Sequence, residues 1–197
     1  MRPILDDVRA HLRTQFADPD PASASVTFLG AETVEVLRFR EADGLVHYAS
    51  LGCSRHPMTD PTQVAADPER GPRAEVVLRL RDPGPATGMA RSLAVLAATP
   101  AVEGVVLVAD ALIDLGTPLW AWPSRRVPFT AVLLGASDIP DLLLTAPRDP
   151  VTFLRATPIT ATEAAWVRLK GAEAMRQAWR NDGVDVLDPN RPAAQPR

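Results

Sequence analysis

Three runs of alternating apolar and polar residues constrain this chain more than anything else in its sequence. Residues 33–40 set Val34, Val36, Leu37 and Phe39 against Glu35, Arg38 and Arg40, and residues 73–81 set Ala74, Val76, Leu78 and Leu80 against Glu75, Arg79 and Arg81. Residues 45–51 form the third run. A period of two places alternate side chains on opposite faces of a strand, a spacing that no helix can use to build an apolar stripe. Glu41-Ala42-Asp43-Gly44 separates the first and third runs, so these two read as an antiparallel pair joined by a turn. A shorter run through Val26 and Phe28 to Leu29 precedes them.

Further strands are expected at 105–109, 112–115, 129–134, 142–145 and 151–159. Helices punctuate this pattern. Ile4, Leu5, Val8, Leu12 and Phe16 recur at helical spacing over 4–16, and the Asp-Pro-Asp-Pro segment at 18–21 ends that helix. A second helix is expected over 89–99, stopped by Pro100. The last opens on Thr160-Ala161-Thr162-Glu163, where Thr160 and Glu163 can satisfy each other's orphan N–H groups. Its buried face reads Ala165, Leu169, Ala172, Met175 and Trp179, with Gly183 as C-cap. The sum is an α+β fold: a mostly antiparallel or mixed sheet with helices packed on it. One domain is expected over 1–188, followed by a disordered tail over 189–197 that carries three prolines.

Composition narrows the function. Hydrophobic residues make up 46% of 197, enough for a core without disulfides, and the single cysteine, Cys53, fits a reducing compartment. The first helix lacks the apolar core of a signal peptide, and the apolar stretches are too short to span a bilayer, so a cytoplasmic protein without membrane contact is expected. A net charge of −3, with Arg125-Arg126 too short to grip a phosphate backbone, argues against nucleic acid.

Catalytic patterns are thin. Cys53 and His56 could form a thiol–imidazole couple, and Asp110 with Asp114 could act as paired carboxylates. Neither comes with an oxyanion or orienting signature, and carboxylates near Gly and Pro ordinarily serve turns. His11, His47 and His56 lack metal-ligand spacing, and the glycines match no phosphate-binding loop, so neither metal nor cofactor is expected. Two stretches read as surface instead. The connection over 52–72 is long and punctuated by Pro and Gly, and it carries Arg55. The loop over 116–128 holds Trp120 and Trp122, residues enriched at interface hot spots.

Several segments together resemble the suppressor-of-fused domain family. They are His47-Tyr48-Ala49-Ser50-Leu51-Gly52-Cys53-Ser54, Arg73-Ala74-Glu75-Val76-Val77-Leu78-Arg79-Leu80 and Phe129-Thr130-Ala131-Val132-Leu133-Leu134. The junction over 151–159, followed by Glu163, and Asp185-Val186-Leu187-Asp188-Pro189 complete a pattern covering about 25–190 in the family's order. The resemblance implies a non-enzymatic protein-interaction domain. Animal members restrain a transcription factor of the Hedgehog pathway by clamping a short peptide, and bacterial members resemble immunity proteins of toxin systems. One such domain is expected in this chain, without the further C-terminal region of the animal members.

The sequence therefore reads as a bacterial interaction module for a protein or peptide, such as a toxin or regulator, held along a strand edge or in a cleft. Tyr48, Arg55, Trp120 and Trp122 are its expected contact residues. The alternative is a small hydrolase or transferase using Cys53 and His56 or the Asp pair. The oligomeric state is not fixed by the sequence.

Overall fold

In a computed structural model, which describes residues 3–28, 32–59, 67–124 and 126–194, the alternating runs become neighbours in one sheet. Its strands are β1 (Ala22–Val26), β2 (Val34–Arg40), β3 (Leu45–Leu51), β4 (Arg73–Arg81), β5 (Leu112–Asp114), β6 (Phe129–Ala136) and β7 (Val151–Thr160). Their spatial order is β1-β2-β3-β4-β7-β6-β5. Every pairing is antiparallel except β4 with β7, where Arg73 to Leu78 run alongside Val151 to Ala156. A parallel pair needs a long crossover. The chain between β4 and β7 supplies it with helix α2 (Met89–Glu103) and the β5–β6 hairpin.

Both faces of the sheet are covered, which is why its central strands are buried on both sides. On the first face α2 and the loop with Trp120 pack on Val36, Tyr48, Val76, Leu78, Val132 and Ala156. The second face carries two separate covers. Helix α1 (Ile4–Gln15) inserts Val8 and Leu12 against Leu37, Phe39, Ala49, Val77 and Phe153. Helices α3 (Ala161–Lys170) and α4 (Ala172–Asn181) cover Ala131, Leu133 and Ile159 with Ala164, Val167, Met175 and Trp179. Each Leu or Val so buried contributes about 1.5–3 kcal/mol relative to exposure. The gap between the two covers lies over the middle of the sheet.

Several local expectations give way to tertiary contacts. Pro100 does not stop α2, which runs on to Glu103. The Leu96 carbonyl that residue 100 would ordinarily engage accepts a bond from Thr99 Oγ1 at 2.8 Å, which offsets the missing proline N–H. The C-terminal helix is two helices, broken at Gly171 where φ is +89° and ψ is 168°, a conformation essentially confined to glycine. That break leaves Ala165 and Leu169 exposed while Ala172, Met175 and Trp179 are buried as the spacing implies. Residues 105–109 form no strand, and Leu142 makes only an isolated bridge to Val151.

The tail expected from residue 189 is placed further than that. Arg191 and Ala194 are buried against α3, because the Glu163 carboxylate in the α3 capping box also receives the Arg191 guanidinium and the Ala194 N–H. The last three residues lie outside the described ones.

Candidate functional site

The four expected contact residues do not form one surface. Tyr48 and Trp120 belong to the first-face core, at 9% and 2% exposure, and Trp120 packs on Phe129 with ring centroids 5.2 Å apart. A side chain covered to that degree offers a partner no area, so proline-bounded loop placement did not make Trp120 a surface residue. Trp122 stands edge-on to Trp120 and donates its indole N–H to the Pro83 carbonyl at 2.8 Å, half-buried at the loop's margin. Arg55 donates to the Thr33 carbonyl at 2.9 Å and faces the Glu32 carboxylate at 2.8 Å.

The connection starting at residue 52 turns tightly, and residues 60–66 of it lie outside the described ones. A 3-10 turn, Cys53–Arg55, is tied down by Glu75. Although the alternation sets Glu75 on the polar face of β4, it is fully buried. Its carboxylate accepts from Ser50 Oγ, the Gly52 N–H, and both the N–H and Oγ of Ser54, at 2.5 to 3.0 Å. Arg73, also buried, donates to the carbonyls of Ser54, Arg55 and Glu69. Burial pushes the Cys53 thiol up, and the Glu75 carboxylate adds to that shift, so little thiolate forms near neutral pH. His56 is exposed and faces Glu32 at 3.2 Å. Asp110 and Asp114 are drawn to different arginines, Arg176 and Arg168, each at 2.6 Å, and do not act on a common point. The Arg168 hydrogen bond and the Gly116 N–H hold the Asp114 carboxyl below its ordinary range. Among the described residues no group of three or more His, Cys, Asp and Glu side chains is placed to hold a metal ion.

A concavity lies away from the four expected contact residues. Over β6 and β7, beside α4, is a cleft of about 620 Å³. Its floor is formed by β6 and β7, where Arg155 stands in register with Gly135 on one side and Val77 on the other. Val184, Val186 and Leu187 give it an apolar wall, and Arg79, Arg155, Arg176 and Arg180 stand around it. Arg176 reaches from α4 across Gly135 to donate to the Leu134 carbonyl at 3.1 Å. A Cβ at position 135 would sit 3.4 Å from its Nη2, so glycine there leaves the guanidinium its place. Arg155 donates to the Ala136 carbonyl at 2.9 Å. A smaller cleft of about 140 Å³ shares Arg79 and Arg155 and continues toward His47, Phe16 and Asp138.

Residues 30–192 match the family described as Suppressor of fused protein (SUFU). The chain belongs to the suppressor of fused family. No curated protein matches it by sequence. Among solved structures the suppressor of fused fold recurs at low identity. A Sufu–Fu complex aligns over 98% of this chain and 92% of its own at 17% identity, with a TM-score of 0.71. A SUFU homologue from Neisseria gonorrhoeae aligns over 96% of both chains at 18% identity, with a TM-score of 0.65. Drosophila Suppressor of Fused aligns over 98% of this chain at 17% identity and a TM-score of 0.69, and this chain spans 51% of it. The expected α+β architecture is the fold of this suppressor of fused domain.

Sequence carried a partial signal for the cleft. Arg79 and Arg155 put charged side chains into strands that are mostly buried, which marks a place where a sheet face is left open. Arg176 and Arg180 reach the same place only because α4 folds back over β6.

Proposed function

We propose that this suppressor of fused domain is a non-enzymatic protein-interaction module whose partner lies in the cleft over β6 and β7 beside α4. The observation that carries the reading is the combination of an apolar wall with four convergent arginines in a cleft over β6 and β7 beside α4. A concave site of this kind gives area from its floor and orientation from its polar walls. Family membership supports it, since one solved structure of the same fold is a Sufu–Fu complex. The finer reading is an immunity or regulatory protein acting on a toxin or regulator in a bacterial cytoplasm. It draws on the family resemblance, on the single cysteine, and on there being no described helix long and apolar enough to cross a membrane. The domain expected over 1–188 is extended in this reading to Ala194, whose N–H is bonded to Glu163. Arg55 and Trp122 remain accessory contacts, and Tyr48 and Trp120 hold the core.

Crosslinked affinity capture from native lysate tests this, comparing the wild type with Gly135→Leu, which fills the cleft above the sheet. A specific partner captured by the wild type and lost by a folded Gly135→Leu supports the reading. The same partner recovered equally by both places the site elsewhere, and no partner in repeated captures overturns the module.

A further inference from the structure

We infer that the occupant of the cleft is an extended acidic peptide segment. Its carboxylates would meet Arg155 and Arg79 at one end and Arg176 and Arg180 at the other, with an apolar side chain over Val184 and Leu187 between them. This rests on the reading of the cleft as the partner site and adds the chemistry of the partner.

Charge is the first reason. The chain carries a net −3, yet four arginines line this cleft and Asp110 is the one carboxylate among its lining residues. The other acidic groups near these arginines stand at the rim. Asp138 is 80% exposed and reaches Arg79 and Arg155 only at 4.0 and 3.9 Å, and Glu173, which meets Arg176 and Arg180, is nearly as open. Exposed pairs, whether the long Asp138 contacts or Arg180 with Glu173 at 2.5 Å, contribute little and can exchange for a better-placed carboxylate.

Pre-organisation is the second. Arg176 and Arg155 each donate to a β6 carbonyl, and Arg176 Nη2 also meets Asp110 at 2.6 Å, which fixes both guanidinium groups while further donors of each fork remain. The Arg79 Nε is buried and finds no acceptor among the described residues. Guanidinium forks match carboxylates two bonds at a time, and side chains already held in place lose little freedom on binding. Size is the third. A cleft of about 620 Å³ takes a few residues of peptide, and no basic stripe leads away from it as a nucleic-acid track would require.

The test is a random dodecapeptide display selection on the immobilised full chain, run in parallel on an Arg155→Glu, Arg180→Glu variant. Both side chains are more than 40% exposed, so the variant should fold, and its amide spectrum checks that. Enriched sequences are expected to carry a surplus of Asp and Glu around an apolar residue. A synthetic enriched peptide should shift the amides of Leu134, Gly135 and Ala136, and bind the variant at least about tenfold more weakly. Enriched peptides that map to the cleft without an acidic surplus would overturn the acidic chemistry and leave the cleft reading standing. Enrichment unchanged on the variant and mapping elsewhere, or no enrichment at all, would overturn both. A thymidine octamer that binds the cleft as tightly as the best peptide would replace the peptide with nucleic acid.

Discussion

Replacing Arg191 with Met tests how the C-terminal segment is held. Glu163 is fully buried, and its carboxylate accepts five hydrogen bonds at 2.7 to 3.1 Å: one from the Thr160 N–H, one from the Trp179 indole, two from Arg191 and one from the Ala194 N–H. Arg191 also donates to the Pro158 carbonyl at 2.8 Å and lies 5.0 Å from the Phe129 ring. Met keeps most of the apolar contact and removes the charge, so the loss is that of a buried carboxylate left without its cation. Removing one partner of a buried pair costs about 3–5 kcal/mol, whereas an exposed tail contact would cost about 0–1. With a urea slope of about 2 kcal/mol/M, the unfolding midpoint should fall by roughly 1.5–2.5 M at unchanged slope.

The pH dependence gives a second readout of the same substitution. Burial alone would raise the Glu163 carboxyl, but the Arg191 hydrogen bond and charge, with the Thr160 N–H and the Trp179 indole, hold it below its ordinary range. A depressed folded value contributes stability that is present above the unfolded value of about 4.3 and is lost as pH falls through the folded one. In the variant burial is no longer opposed by Arg191, the folded value rises, and the penalty should shrink on acidification. A midpoint loss equivalent to less than about 1 kcal/mol, or a penalty independent of pH, would refute the buried-pair reasoning.

Three further outcomes follow from the same geometry. Gly171→Ala should destabilise the domain by on the order of 1–3 kcal/mol in chemical denaturation, through backbone strain alone, because no atom lies within 4 Å of the added Cβ. Glu75→Gln should cost about 1–3 kcal/mol and speed amide hydrogen exchange at Gly52 and Ser54, whose N–H groups lose a carboxylate acceptor. Cys53 should react with a thiol reagent at pH 8 at least about tenfold more slowly than free cysteine and catch up on unfolding; a fast native reaction would revive a nucleophilic thiol.

Residue pattern alone placed the strands with clear alternation, though not the apolar runs at 105–109 and 142–145. β3 and β4 lie where the alternation sets them, Thr160 and Glu163 cap α3 as their spacing requires, and α1 is amphipathic along its own length. These are local matters, settled by whether side chains a fixed number of residues apart point the same way. What covers each face is not local. The same polar phase of β4 holds Glu75, sealed beneath a 3-10 turn, and Arg79, left beside an open cleft, because one lies under folded chain and the other in the gap between two helical covers. Pro100 stays helical because Thr99 serves the carbonyl that it cannot, and Trp120 is core because Phe129 and α2 close around it. The cleft itself depends on where α4 settles over β6 and β7, and that placement is decided by packing between segments far apart in the chain, which no periodicity within either segment records.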